Sequence, residues 1–437
     1  MLRETVSVEH VRQALRPMTL QQWIEAGIVH PPTSEGRVRS AVRFTPVQGF
    51  LLAADCPQLD AIQAPIDFVM PPGGTSLQLG WSAIRRSARR TLDLGTGCGY
   101  LGLVASVFSN LVVATDYNER AVAVARFNAL LNGITRMETR VGDLWDPIRG
   151  ERFDLVLSNP PFVITPQRRL LLRDSGIRGD EFCRRLIREV PSYLEEGGFC
   201  QMLGNFAHLR DRPWQEDLSA WFTDLGCDAV VFVTRRQPID EYAMTWITAT
   251  ESQDVAVVPR MFNEWMEYYE RQQIEQVSYL LINLRRRSGI SNQIYVDEEE
   301  VRIAGECGDS IQTRFALLDY LAELPSDAAL LDECLMLDPN ARLVQEHVMS
   351  AAGPKLVENR LEMRGALRHS ARLDTNVMRF LVYCDRQQPL RAILTGLADS
   401  LGLEPDRVCQ ITLPTVRHMI ERGFLIPARF LSSSSRD

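Results

Sequence analysis

The chain has 437 residues, 45% of them apolar and 24% charged, which is enough for two or three domains with buried cores and ordinary for a globular protein. No run of 18 apolar residues occurs, which excludes a membrane-spanning helix, and the opening MLRETVSVEHVRQ has an early acid and no apolar stretch of the kind a secretory leader needs. Nine cysteines, odd in number and without a CxxC pair, and six scattered histidines argue against a disulfide framework and a metal site, so a reducing cytoplasm is the expected setting.

Residues 1–70 form an accessory region, with one amphipathic helix expected over roughly 8–26 and an irregular stretch after it. From about residue 90 to 250 strand-like and helix-like segments alternate. Strands are expected at Thr91–Gly95, Leu111–Asp116, Met137–Asp143, Phe153–Asn159, Gly198–Asn205, Asp228–Arg235 and Ala243–Ala249. Most are continuous apolar runs such as LVVAT and FDLVLS, the pattern of strands covered on both faces. Between them Asn118 is placed to cap NERAVAVARFNALLNGI, which stops at Asn132-Gly133, and Asp180 to cap DEFCRRLIREVPSYLEE. The pattern predicts an α/β fold, doubly wound around a mostly parallel seven-stranded sheet, over residues 71–250. Residues 251–295 read as a connecting helix and the apolar run VSYLLINL, and the acidic stretch Asp297–Glu300 as a linker. Residues 296–437 read as a mainly helical domain ending in helix, turn, helix and short strand, a winged-helix-like arrangement. Residues 1–250 carry 27 basic and 28 acidic residues, a net of −1, whereas 251–437 carry 21 and 28, a net of −7. The acidic C-terminal part points to protein contacts or dimerisation rather than to nucleic acid.

The segment Thr91–Gly99, TLDLGTGCG, is a strand running into a glycine-rich turn and then a helix. Such a turn brings backbone close to a ligand, and the helix start offers free N–H groups. The spacing is G-x-G-x-G rather than the G-x-G-x-x-G of dinucleotide sites, and Asp93 precedes the glycines, where a pyrophosphate would be repelled. Asp116 closes the next strand, where a carboxylate can accept two ribose hydroxyls, and Asp143 the third, within reach of an adenine amino group. Three acids in this order at these strand ends outweigh the plain reading of each as a cap or surface charge. The segment resembles the class I S-adenosylmethionine-dependent methyltransferases over about residues 70–250. That resemblance implies S-adenosyl-L-methionine as cofactor, with Asp93, Gly95, Thr96, Gly97, Gly99, Asp116, Tyr117, Asp143 and Asn159 around it. Upstream, PPGGTS occupies the place where related enzymes lay a segment over the cofactor, which makes Thr75 a further candidate.

Directly after the fourth expected strand comes Ser158-Asn159-Pro160-Pro161-Phe162. It resembles the (N/D/S)PP(Y/F) motif of amino-group methyltransferases, among them the HemK-type glutamine methyltransferases and the adenine- or guanine-N methylases. An amide or exocyclic amino group is a poor nucleophile because its lone pair is delocalised. Hydrogen bonds to the Asn159 oxygen and the Pro160 carbonyl would orient it, two prolines would stiffen the acceptors, and Phe162 would stack on a flat acceptor. The resemblance therefore assigns catalysis to Asn159, Pro160 and Phe162, acting on the nitrogen of a protein, peptide or small planar molecule. An RNA base methyltransferase and a catalytically idle scaffold are the alternatives. Arginines at 168, 169 and 173 sit just past Phe162 and are equally a substrate rim or a solvated loop. Arg173 and Asp174, in a stretch similar to the one that follows this loop in HemK-like enzymes, are candidate substrate contacts. Arg184, Arg185 and Arg188 read as a solvated helix face with i, i+4 partners. HemK-type enzymes typically carry an N-terminal helical bundle and NPPY, neither of which occurs here, so the resemblance carries the chemistry further than the substrate.

Overall fold

The computed structural model describes residues 5–56, 65–166, 179–250, 255–289, 291–351 and 353–431. The chain divides into two compact units, Met1–Cys227 with Arg235–Ile290, and Asp228–Thr234 with Ser291–Asp437.

In the first unit the apolar runs become the strands of one sheet. These are β1 (Ala88–Leu94), β2 (Ser109–Asp116), β3 (Met137–Val141), β4 (Phe153–Ser158), β5 (Leu194–Leu209) and β7 (Ile274–Arg286), with β6 (Cys227–Pro238) divided between the units. Hydrogen bonds order the first six as β3-β2-β1-β4-β5-β7. All are parallel except β7, which runs antiparallel to β5. The central strands bury both faces, as in Val112–Ala114 and Val156–Leu157. Helices α1 (Gly74–Ser82), α2 (Tyr100–Ser106), α3 (Glu119–Leu131), α4 (Glu181–Glu189), α5 (Trp214–Ser219), α6 (Ile239–Thr250) and α7 (Val258–Gln272) complete the unit. This is the class I methyltransferase fold.

Two expectations are corrected here. Ala243–Ala249 is not a strand but part of α6. Its Thr and Ile content favours a strand, yet Tyr242, Ala243 and Ile247 are buried at helical spacing, and Asp240 and Glu241 sit in the first turn, where the helix dipole favours acids. The strand in its stead is the VSYLLINL run, so the sheet continues well past residue 250. The stretch after the first helix is not irregular either. The expected single helix is two, Val8–Ala14 and Leu20–Glu25, separated around Pro17 and restarted by a Thr19–Gln22 capping box. A hairpin then pairs Val42–Val47 with Phe50–Asp55 through Gln48 and Gly49, both at positive φ.

The second unit packs helices Gly308–Glu323, Thr375–Leu381, Leu390–Leu401 and Pro405–Glu421 around an apolar core. The expected ending of helix, turn, helix and strand is present, closing with Leu425–Pro427, which pairs with Cys334–Leu337. The unit holds more strand than a mainly helical domain, including an antiparallel sheet of Ala341–Ser350, Gly353–Met363 and Ser370–Leu373. Asp297–Glu300 is no linker. It ends the strand Ile294–Glu300, parallel to residues 229–233, and Asp297 is buried against Arg422. No helix among the described residues is long and apolar enough to cross a membrane.

Candidate active site

The glycine turn leaves β1 at Leu94 and enters α2 at Tyr100. Gly95, Gly97 and Gly99 hold φ of +74°, +54° and +86°, which residues with a Cβ rarely adopt. A Cβ on Gly95 or Gly97 would meet nothing within 4 Å, so the backbone there borders open space. On Gly99 it would stand 3.0 Å from Ala125 Cα, so this glycine lets the turn lie against α3. The N–H groups of Gly95 and Thr96 both donate to the Thr115 carbonyl at 2.9 Å, tying the turn to β2.

Asp93 lies beneath this turn, fully buried, and does not line the cavity above it. Its expected place beside the cofactor is therefore corrected to a supporting one. Its Oδ2 accepts from Thr96 Oγ1 at 2.5 Å and from the Gly102 N–H at 2.8 Å, which joins the turn to α2. Burial pushes its carboxyl up to about 7.

Asp116, at the end of β2, does border the cavity. Its Oδ2 accepts from the Gly97 N–H and its Oδ1 from the Asn118 N–H, both at 2.9 Å. Each oxygen thus has acceptor capacity left, and desolvation raises the pKa in spite of both bonds. Tyr117, 62% exposed, and Asp143, two residues past the end of β3 and exposed, line the same space.

The cavity measures about 740 Å³ and lies within the first unit. On one side the segment Pro71–Ser76 turns into α1, with Thr75 and Ser76 in the wall. Against it stands the loop after β4. Asn159 Nδ2 donates to Ser76 Oγ at 2.9 Å, which fixes the amide plane, while its Oδ1 is buried with no hydrogen-bond partner among the described residues. Pro160, Pro161 and Phe162 continue the wall. Two tyrosines bolt the end of this loop: Tyr242 Oη accepts from the Ile164 N–H at 3.0 Å, and Tyr269 Oη donates to the Ile164 carbonyl at 2.9 Å.

Beyond Phe162 the lining is aromatic. The Trp246 ring meets Phe162 edge-to-face, with centroids 6.2 Å apart. Trp246 Nε1 donates to Tyr279 Oη at 3.0 Å, and that hydroxyl donates to Gln237 Oε1 at 2.8 Å. Arg235 lines the cavity too, as do Phe182 and Arg185, the last close enough to Asp143 for their charges to interact. Arg185 is held by Glu189 at 2.9 Å, the i, i+4 pair expected of a solvated face. Thr75, Gly95, Thr96, Gly97, Asp116, Tyr117, Asp143, Asn159, Pro160 and Phe162 thus come together around one cavity. Arg168, Arg169, Arg173 and Asp174 lie outside the described residues. Sequence reasoning missed Ser76, Arg235, Trp246 and Tyr279. Trp246 and Tyr279 sit on a helix read as a strand and a strand read as a connector, so nothing local flagged them.

Residues 81–224 match the family described as the methyltransferase small domain, and residues 312–427 match a domain of unknown function. A release factor glutamine methyltransferase of Xylella fastidiosa is 35% identical over 128 residues, 26% of this chain and 46% of that protein. A ribosomal protein uL3 glutamine methyltransferase of Bradyrhizobium diazoefficiens is 32% identical over 160 residues, 33% of this chain and 50% of that one. The chain spans about half the length of these two relatives. A protein of Methanocaldococcus jannaschii, provisionally named a protein N5-glutamine methyltransferase, is 30% identical over 142 residues, 31% of this chain and 71% of that protein. The chain belongs to the small-domain methyltransferases. S-adenosylmethionine is the methyl donor of this family, and the cavity of this small-domain methyltransferase fits it. There is open space above Gly95 and Gly97 and a carboxylate with spare acceptor capacity at Asp116.

Proposed function

We propose that this small-domain methyltransferase transfers the methyl group of S-adenosylmethionine to an amide or amino nitrogen, and that the acceptor is carried by a protein or peptide. The buried Oδ1 of Asn159, without a hydrogen-bond partner among the described residues, carries the reading. A buried carbonyl oxygen left unpaired costs on the order of 1–3 kcal/mol, and an acceptor N–H entering the cavity would remove that cost. Ser76 holds the other end of the amide, so the oxygen is aimed before the substrate arrives. The Pro160 carbonyl is assigned the second N–H of the acceptor, and Phe162 with Trp246 the flat face of its planar group. Asp116 is assigned the ribose hydroxyls of the donor, Asp143 the adenine amino group, and Tyr117 and Thr75 the flanks of the donor site. Drawing both N–H groups toward fixed acceptors localises the nitrogen lone pair on the side of the methyl group. No strong base is needed, because the proton leaves once the nitrogen is cationic. The glutamine acceptors named for two relatives support a protein substrate.

The test is methyl transfer from tritiated S-adenosylmethionine into cell lysate fractionated into protein, RNA and small molecules. Label is expected in protein, on nitrogen. Asn159→Ala should keep donor affinity within about threefold while transfer falls by roughly two orders of magnitude or more, the scale of losing one pre-aimed polar group. Full turnover in Asn159→Ala would overturn the nitrogen-acceptor mechanism, and label confined to RNA would replace the protein acceptor.

A further inference from the structure

Resting on that reading, we propose that Arg235 is a specificity-determining residue which binds a carboxylate on the polypeptide acceptor, from an acidic side chain close in sequence to the methylated residue.

Arg235 is an exposed residue that lines the cavity, and it has no hydrogen-bond or ion-pair partner among the described residues. Arg185, the other arginine in the wall, is already engaged by Glu189. An unengaged guanidinium at the edge of a cavity offers a fork of donors that matches a carboxylate. Its position separates it from the donor. Arg235 lies close enough to Tyr279 for its charge to act on that hydroxyl. Tyr279 is on β7, three places along the sheet from β1, where the glycine turn begins. At roughly 4.8 Å per strand this is about 14 Å. Asp116 lies on the far side of β1, at the end of β2. The Asn159 loop follows β4, between the two ends. Arg235 therefore stands on the Tyr279 side of the acceptor-orienting loop.

The surroundings choose the anion. A nucleic acid backbone presents a phosphate at every nucleotide and is bound through several cations at once. Among the described residues one unengaged arginine shares the cavity with Asp116 and Asp143, in a chain of net charge −8. A single carboxylate matches a single guanidinium. The aromatic wall beside it suits a planar side chain entering next to that carboxylate, with Trp246 held by Tyr279 and Tyr279 by Gln237.

The experiment uses the full chain. Wild-type protein labels a soluble proteome with deuterated-methyl S-adenosylmethionine, and the labelled residues are mapped by mass spectrometry. An Asp or Glu is expected within about three residues of the acceptor. A synthetic peptide of the mapped sequence is then compared with its acid-to-amide counterpart. For wild type the counterpart should show a KM raised tenfold or more, with kcat within about threefold. Arg235→Ala should show that raised KM for both peptides, and Arg235→Lys should recover part of the difference. Donor affinity by calorimetry should be unchanged in both variants. Equal KM values for wild type and Arg235→Ala, or mapped sites without a neighbouring acid, would overturn the inference while leaving the proposed function standing. Loss of donor affinity in Arg235→Ala would reassign the residue to the carboxylate of the cofactor. Absence of any nitrogen methylation by wild type would overturn the proposed function and this inference with it.

Discussion

Asp93 ties the glycine turn to α2 through one carboxylate oxygen, while its other oxygen is buried without a hydrogen-bond partner among the described residues. The ionised form is therefore poorly served, and the carboxyl is pushed from 3.8 to about 7. A folded-state pKa above the unfolded value means that the protonated form favours folding. The contribution is fully present below about pH 4 and is lost as pH rises through 7, about 4 kcal/mol for a shift of this size. The melting temperature of the cofactor-free protein should accordingly fall between pH 5 and 8. Asp93→Asn, which keeps an acceptor for Thr96 and Gly102, should flatten that fall; an equally steep fall in the variant would mean another group is responsible. Asp116 is the acid assigned to the donor. Asp116→Ala should weaken S-adenosylmethionine binding at least tenfold by calorimetry, since each hydrogen bond to a charged group is worth about 1.5–3 kcal/mol. Unchanged affinity in a folded variant would remove the ribose assignment. Both acids are visible in the sequence because they hold fixed places at strand ends. That one underlies the turn and the other faces the cavity is not visible, since strand spacing does not say which oxygen meets which N–H.

At the scale of elements, α3 is the piece that joins the site to the N-terminal region. Its buried Asn128 accepts from the Ala53 N–H at 2.7 Å and donates to the Ala53 and Cys98 carbonyls, each at 2.8 Å. One side chain thereby stitches the hairpin strand Phe50–Asp55, the helix and the glycine turn together. Asn132 repeats the pattern one turn on, bonding the Leu51 N–H and carbonyl, and Arg120 pairs with Asp55. Asn128→Ala would leave three buried backbone groups unpaired, so a loss of roughly 2–4 kcal/mol is expected in chemical denaturation. A loss under about 0.5 kcal/mol would show that the hairpin is not anchored this way. These contacts explain why the N-terminal stretch is hard to read from sequence. Its strands carry Arg, Thr and Pro among the apolar residues and gain their order from asparagines some 80 positions away. The sheet of the first unit is easy to read where strands are continuous apolar runs. It is misread at Ala243–Ala249, where propensity and tertiary packing disagree and packing prevails.

At the scale of the molecule, the net −7 of residues 251–437 and the helix–turn–helix ending pull in opposite directions, because such an ending is familiar from nucleic acid binding. The side chains decide between them. The second helix of the pair, Pro405–Glu421 with its cap Arg422, offers Arg407, Arg417, His418 and Arg422 as cations. Arg417 is taken up by Asp327 at 2.6 Å and Glu421 at 3.2 Å. His418 lies 3.6 Å from Glu421. Arg422 is buried, between Asp297 and Glu299 at 3.4 Å each, and donates to the Ser370 carbonyl at 2.8 Å. Only Arg407 of the four has no ion-pair or hydrogen-bond partner among the described residues. A helix that spends its cations inside its own unit has few counterions to release from a phosphate backbone, and that release is what drives such binding. The full-length protein should therefore show no association with duplex DNA or single-stranded RNA at physiological salt tighter than about 100 µM, the weak end of non-specific binding. It should show little change in anisotropy of a labelled oligonucleotide on going from about 50 to 200 mM salt. Binding near 1 µM whose logarithm falls by three or more per decade of salt would overturn this, and Arg407→Glu would then show whether this helix is the one responsible.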